Sequence, residues 1–351
     1  MIAAVDFRPN EIQRAVERAA AGALDGTGDS PDRAWKALGQ AGLHSLAVPT
    51  WLGGEGLGAP EVGTLLTEIG RRGLVLPALP TLALAALPVA RWGTADQQRD
   101  LLSASGGRVL TAALREPSDP MPVTPATRAA PDLAVTGVKI GVWYAEQAHR
   151  MLVPVTRSSG ETGVALVDPA GPGVCLRRTP TSSGLPEYTV HLDNAPATGL
   201  LGCEAGALHR YAIAGACALG DGLLAGALAL TTAHVGTREQ FGRPLATFQA
   251  VAQQIADVYI TGRTAHLTAL AAAWRPDSTD VDVAAYWFAS TAPAAVRTCH
   301  HLHGGLGLDA SYPLHRYSAQ VKDLVRFLGG TEYCLERLSL STGGDGRCPS
   351  S

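Results

Sequence analysis

Apolar residues recur at helical spacing over roughly the first hundred residues and over the last third, and between them the pattern switches to short alternating runs. Asn10 to Leu24 reads as a first helix. Ser30-Pro31-Asp32 reads as an N-cap with proline at the first helical position, opening a second helix through Trp35 and Leu38. A glycine-rich loop, Trp51 to Pro60, precedes a third helix with Val62, Leu65, Leu66 and Ile69 on one face. Two more helices are expected from Thr81 to Arg91 and from Thr94 to Leu102. The apolar stretch Leu74 to Val89 holds Pro77, Pro80 and Pro88 and is shorter than the ~20 residues of a membrane span. It reads as a buried helix with its lead-in loop.

The texture changes near Gly106. From Val109 to Leu201 the runs are short and β-branched and are separated by turns, as in RVLTAAL, HRMLVPVT, TGVALVD and EYTVHLD. They predict an antiparallel β domain of about six to eight strands. A long helix rich in Ala and Gly follows, Tyr211 to Arg238. Its glycines Gly215, Gly220, Gly222 and Gly226 each cost about 1 kcal/mol relative to Ala, a cost that close helix packing can offset. Val251, Ile255, Val258 and Tyr259 mark the next helix, and Val281 to Leu302 and Pro313 to Leu340 complete a four-helix bundle. The expected fold class is α+β: an N-terminal helical domain (1–105), a β-barrel-like domain (106–203), a C-terminal four-helix bundle (204–342) and a flexible tail (343–351).

Composition narrows the function classes. With 28 basic and 31 acidic residues among 351, the net charge is −3, and no basic field calls for nucleic acid. The six cysteines are spread out with no CxxC pair, which argues against a disulfide framework and for the reduced thiols of a cytoplasmic protein. The N-terminus MIAAVDFRPNEIQRAVERAA is broken by Asp6, Arg8 and Glu11, so no signal peptide or membrane association is expected. His300, His301 and His303 follow Cys299, yet only His300 and His303 share a helix face, and no metal is expected. Arg71-Arg72 and Arg177-Arg178 read as solvated pairs rather than phosphate contacts, and the six tryptophans read as core.

Two stretches carry more information: TREQFGRPLATFQAVAQQIADVY from Thr237 to Tyr259, and HLHGGLGLDASYPLHRY from His301 to Tyr317. With the helix–β–helix layout, they resemble the acyl-CoA dehydrogenase family along almost the whole chain. The long motif RxQFGxPLxxFQxVxxxxAD is specific, whereas HGGLG alone would be weak. The resemblance implies FAD lying between subunits, one holding the isoalloxazine ring and its neighbour embracing the pyrophosphate and adenosine. The residues it implies for the second role are Arg238, Gln240, Phe241, Gln249, His301, Gly304 and Gly305. Their chemistry suits it: Arg238 offers a planar fork to phosphate oxygens, and Gly304-Gly305 lets a main chain approach closely. Arg238 paired to a carboxylate and Gly304-Gly305 as a plain helix break is the bland alternative.

The family removes an α-proton with a carboxylate while a hydride leaves the β-carbon for the flavin. In many members that base is the Glu of Tyr-Glu-Gly-Thr, but here the segment reads Phe327-Leu328-Gly329-Gly330-Thr331, with Gly329 in the Glu position. Gly has no side-chain proton acceptor, so no pKa tuning replaces the base. Other members place the Glu on the helix before RxQFG, near Ala212, where no acid lies within four residues on the helix. Ring-facing segments differ too: Arg115-Glu116-Pro117 stands for Thr-Glu-Pro, and Val142-Trp143-Tyr144 for Trp-Ile-Thr/Ser. The pattern resembles the base-less α subunits of actinobacterial steroid side-chain dehydrogenases. It implies a base-bearing acyl-CoA dehydrogenase partner in an α2β2 heterotetramer and no catalytic residue of this chain's own. It also implies an acyl-CoA substrate such as 3-oxo-4-pregnene-20-carboxyl-CoA in steroid and cholesterol catabolism, and an electron-transfer-flavoprotein-type acceptor. Two alternatives stand beside it: a self-sufficient enzyme with Asp221 or Glu116 as relocated base, and a scaffold of the same fold that never binds flavin.

Overall fold

The computed structural model describes residues 7–103 and 107–342. The tail expected at 343–351 and the change of texture at Gly106 lie outside these residues.

The N-terminal region is helical: α1 (Glu11–Leu24), α2 (Pro31–Gln40), α3 (Ala59–Arg71), α4 (Leu87–Trp92) and α5 (Ala95–Leu102). Local chemistry sets the boundaries. Asn10 caps α1 and exchanges reciprocal hydrogen bonds with Gln13, Ser30 caps α2 ahead of Pro31, and Thr94 with Gln97 opens α5 the same way. The segment expected as a single helix from Thr81 to Arg91 is π-helical over Leu79–Ala86 before α4 begins, and the Leu87 N–H reaches Leu82 O, five residues back. All eight residues of that π-helical segment are buried.

The β domain contains β1 (Val109–Ala112), β2 (Arg128–Ala129), β3 (Ala134–Trp143), β4 (Ala148–Arg157), β5 (Thr162–Val167), β6 (Val174–Thr179) and β7 (Glu187–Leu201). Strands β4, β2, β3, β7 and β5 pair in turn, and β5 returns to β4, so the sheet closes on itself. The ladders are mostly antiparallel as expected, but β4 runs parallel to both β1 and β2. Closure explains the mixture. The long β4 is wrapped by short strands that arrive from loops rather than hairpins, and turn spacing alone does not show this. Val135, Val153, Val167 and Val190 fill the interior.

The C-terminal region contains α6 (Ala205–Thr237), a two-stranded hairpin β8 (Glu239–Gln240) and β9 (Arg243–Pro244), then α7 (Gln249–Trp274), α8 (Asp280–His303), α9 (Leu314–Phe327) and α10 (Thr331–Ser341). The helix expected from Pro313 to Leu340 is broken in two, because Gly329 and Gly330 take φ of 95° and 87°. Helix α6 starts at Ala205, six residues before its expected first residue. It is long and apolar enough to cross a membrane, yet 78% of its apolar window is buried in the fold, where it forms the central strut. Its glycines permit direct backbone contact with α3: a Cβ on Gly222 would lie 1.9 Å from Thr67 O, and one on Gly226 would lie 2.3 Å from Arg71 O.

The β domain is tied to the bundle by polar contacts. Asp323 on α9 accepts the Ser182 and Ser183 N–H groups at 3.0 and 2.8 Å, and Arg326 forms two bonds to Glu187 at 2.8 and 2.6 Å. The tryptophans depart from the core expectation. Trp143 is buried, but Trp51 is half exposed, with the Arg99 guanidinium over its ring.

Candidate cofactor site

Helix α6 ends in an extended Arg238, and the Leu245 N–H bonds to Arg238 O at 2.9 Å, closing the base of the β8–β9 hairpin. Helix α7 starts at once behind it. Its N-cap position is Phe248, whose side chain cannot cap, so the first turn of this 26-residue helix presents N–H groups without a side-chain partner. On the far side, α8 ends at His303 and the chain turns through Gly304 (φ 58°, ψ −135°). His234 of α6 stacks on His303 of α8 at 4.5 Å and joins the two walls.

Between them lies a cleft of about 710 Å³, lined by Arg238, Leu245, Gln254, His301, Gly304 and Gly305 among others. Among the described residues the Arg238 guanidinium has no ion-pair or hydrogen-bond partner, so the bland alternative of an intrachain carboxylate pair does not hold. A Cβ at Gly304 or Gly305 would meet nothing within 4 Å. Packing inside this chain therefore does not require glycine at Gly305, and the open space faces whatever enters the cleft. An unpaired guanidinium, an uncapped helix start and two bare glycines form a donor set for phosphate oxygens. A dinucleotide pyrophosphate fits them.

Three of the seven residues expected here, Gln240, Phe241 and Gln249, are exposed beside the cleft rather than among its lining residues. Phe241 and Gly242 form the two-residue hairpin loop with φ of 55° and 78°, the pattern of a turn that favours Asn-Gly. Phe241 is 92% exposed and reaches only the edge of Phe248. Both its backbone and its exposure are unfavourable in the isolated chain. His234 and Gln254 were not anticipated, although His234 sits one turn before Arg238 and Gln254 lies inside the long motif. Burial and the Arg238 charge hold the His234 imidazole below its usual range.

The segments expected at a flavin ring also converge: side chains crowd Arg115 and Gly329, while Tyr144 lines an open cleft of about 910 Å³. Arg115 pairs through its backbone with Ile140 and lies so close to Gly141 that a Cβ there would sit 2.9 Å from its Nη1. Its Nε is buried without a partner, and burial together with the Arg326 charge lowers its pKa. Glu187 receives both Arg326 bonds and a third from Trp143 Nε1 at 3.0 Å, while Trp143 packs on Phe327 at 4.9 Å. At Gly329 a Cβ would lie 2.4 Å from Tyr333 Cδ1 and 3.0 Å from Pro120 Cβ. Tyr333 is anchored by its hydroxyl to Met121 O at 3.1 Å.

Both candidates for a relocated base are held in intrachain hydrogen-bond networks. Glu116 accepts from Thr127 N, Thr127 Oγ1 and Lys139 Nζ on one oxygen and from Ala126 N on the other, at 2.6 to 3.0 Å. Burial pushes its carboxyl up, but the Lys139 and Thr127 hydrogen bonds outweigh burial and hold it below its usual value. Burial brings Lys139 down to about 8 against the pull of Glu116. Asp221 lies nine residues beyond Ala212, about half a turn around α6 at roughly 100° per residue. It faces α3 and α7, where it takes bonds from His266 and Thr67. The histidines read as a weak metal candidate are otherwise engaged: His300 bonds Gly307 O and Ser318, and His303 bonds Cys299 O and Tyr312.

Helices on either side of a closed sheet in the chain order, with an open cleft lined by phosphate-suited donors at the α6–α7 turn, describe one class of flavoprotein oxidoreductase. The chain belongs to the acyl-CoA dehydrogenase family: residues 6–105 match its N-terminal domain and residues 207–339 its C-terminal domain. It is similar to the acyl-CoA dehydrogenase FadE28 of Mycobacterium tuberculosis, with 44% identity over 343 residues covering 95% of this chain and 98% of that protein. Among solved structures it is similar to a variant of the Tcur3481-Tcur3483 steroid acyl-CoA dehydrogenase, with a TM-score of 0.87, 34% identity, and coverage of 96% of this chain and 98% of that one. It is also similar to a chain of the ChsE4-ChsE5 complex from Mycobacterium tuberculosis, with a TM-score of 0.88, 30% identity, and coverage of 98% and 100%.

Proposed function

We propose that this chain is the base-less subunit of a heteromeric, FAD-dependent acyl-CoA dehydrogenase, and that it completes the FAD site of a base-bearing partner subunit. One contrast carries the reading. The cleft around Arg238, His301, Gly304 and Gly305 is open and its guanidinium uncommitted, while Gly329, where the family carries its base, is crowded by Tyr333 and Pro120 and supplies no carboxylate.

In this arrangement Arg238, Gly304, Gly305 and the start of α7 hold the pyrophosphate of the partner's FAD, with Gln240, Gln249 and His301 as further donors. Phe241, carried outward on the hairpin, packs against the partner. When bound, the flavin accepts the hydride from the acyl β-carbon. The α-proton goes to a partner carboxylate, because Gly329 supplies none. Similarity to the steroid enzyme and to the ChsE4-ChsE5 complex supports an α2β2 assembly and a steroid-CoA thioester with a short side chain, such as 3-oxo-4-pregnene-20-carboxyl-CoA. The electron acceptor would be an electron-transfer flavoprotein. We read the chain as three domains, 1–105, 106–203 and 204–342. The unpaired Arg238 weighs against a flavin-free scaffold, which has no use for a phosphate clamp.

Coexpression with a base-bearing subunit tests the proposal. It predicts a yellow complex with about one FAD per pair of chains that desaturates acyl-CoA, while this chain purified alone is nearly colourless. Stoichiometric FAD and full turnover from the lone chain would overturn it.

A further inference from the structure

Helices α3, α6 and α7 meet through Gly63, Ala218, Ala269 and Ala273, side chains too small to fill the wedge between three helices. A Cβ on Gly63 would only just reach the Ala273 and Ala218 methyls, at 3.5 and 3.6 Å. The result is a cavity of about 100 Å³, extended at its mouth by Phe7 and Pro9 from the segment before α1. The small apolar residues form its floor, but half of the lining residues are polar or charged, among them Asp221, Thr67, His266, Glu17, Glu68 and Arg8.

Thr67, Asp221 and His266 form an ordered chain. Thr67 Oγ1 donates to Ala218 O at 3.0 Å and lies 3.4 Å from Asp221 Oδ2. Asp221 is 5% exposed, and its Oδ2 lies 2.9 Å from His266 Nδ1. A carboxylate only accepts, so it places the imidazole proton on Nδ1. In the neutral ring Nε2 is then a lone-pair acceptor, and among the described residues it has no hydrogen-bond partner. The His266 side chain remains 32% exposed at the cavity, whereas the Asp221 behind it is fixed. At the mouth, Glu68 is engaged by both Arg71 and Arg72.

We propose that this cavity is a second ligand site, unrelated to flavin, for a small neutral molecule with an apolar ring or branched body and one hydroxyl group. The hydroxyl donates to His266 Nε2, and the apolar part sits against Ala218, Ala269 and Leu270. The size suits one six-membered ring, since an engineered apolar cavity of roughly 150 Å³ holds benzene and this one is open at its mouth. The site lies across α6 from Ala212, so it is separate from the ring site and its test does not depend on turnover.

Phenol, toluene and benzoate are suitable probes, titrated by calorimetry into the purified protein with or without its partner and located by crystal soaking. Phenol should bind saturably in this cavity, about three- to tenfold tighter than toluene, as one hydrogen bond allows. His266→Leu should remove that preference and leave toluene binding intact. Equal binding of phenol and toluene to the wild type overturns the proposal, as does tighter binding of benzoate or phenol density anywhere but this cavity. Because the wild-type comparison decides by itself, failure of the variant to fold does not rescue the idea.

Discussion

Putting the missing carboxylate back at Gly329 should damage the chain rather than revive it. Gly329→Glu places a non-glycine residue at φ 95°, a backbone region that costs L-residues roughly 1–2 kcal/mol or more. Its Cβ would also meet the Tyr333 ring at 2.4 Å and Pro120 Cβ at 3.0 Å. Tyr333 cannot simply swing away, because its hydroxyl is bonded to Met121 O and its side chain is part-buried. Overpacking of this kind costs about 1–3 kcal/mol, so the sum is about 2–5 kcal/mol of unfolding free energy. Urea melts of wild type, Gly329→Glu, Tyr333→Ala and the double variant form a thermodynamic cycle. The double variant should be less destabilised than the two single changes added together, by about 1–3 kcal/mol, since removing the ring relieves the clash and leaves the backbone strain. A Gly329→Glu chain as stable as wild type, with no coupling to Tyr333, would refute the reasoning that this site is closed by packing. Flavin binding and turnover by the single variant would refute it more severely.

Arg238→Ala should weaken FAD retention by the heteromeric complex about 10- to 150-fold, the range of a hydrogen bond to a charged group. Its effect on the lone chain's melting should be within about 0.5 kcal/mol, because Arg238 has no partner there; equilibrium dialysis and urea melts check the two halves. Phe241→Asn supplies the Asn-Gly pair that the hairpin turn favours, so the lone chain should gain up to about 1 kcal/mol while assembly with the partner, followed by analytical ultracentrifugation, becomes weaker. Glu116→Gln leaves Lys139 without its buried counter-charge and should cost about 3–5 kcal/mol near neutral pH. The folded Glu116 carboxyl titrates below its ordinary value of 4.5, so its stabilisation is complete above that pH and disappears as pH falls through the lower folded value. The stability gap between wild type and Glu116→Gln should therefore narrow on acidification, as urea melts at stepped pH would show.

The helical regions were legible because their signals are local. Asn10, Ser30 and Thr94 cap the helices that their sequence positions suggested, and the glycines of α6 do lie at close packing, Gly222 and Gly226 against the α3 backbone and Gly215 and Gly220 against side chains. The errors came from long-range effects. The parallel pairing of β4 with β1 and β2 depends on barrel closure, which strand spacing does not encode. Gly329-Gly330 was noted for the carboxylate it lacks, and its capacity to break the last helix was overlooked. At the α6–α7 turn Arg238, His301, Gly304 and Gly305 line one cleft, but the motif does not separate lining residues from rim residues. Whether Gln240, Phe241 or Gln249 faces inward depends on the tilt of a short hairpin and the first turn of α7. Asp221 remained open as a base until the pitch of α6 placed it about half a turn from Ala212.

The two half-sites also lie in different physical surroundings. The ring-facing segments are part-buried, between the β domain and helices α9 and α10. A vacancy there would cost cavity energy, and filling it with Tyr333 against Gly329 and with the Arg326–Glu187–Trp143 cluster turns that loss into packing and hydrogen bonds. The cleft at the α6–α7 turn is on the surface, where water solvates an empty donor set at little cost. An interior site that loses its ligand is under pressure to close, whereas an exterior one is not, so an open Arg238 cleft alone would say little. Phe241 is the exception, because its strained φ and 92% exposure are penalties that water does not relieve. An aromatic ring held at that tip is what the proposed partner surface would cover, and weaker assembly of Phe241→Asn is the result that reading requires.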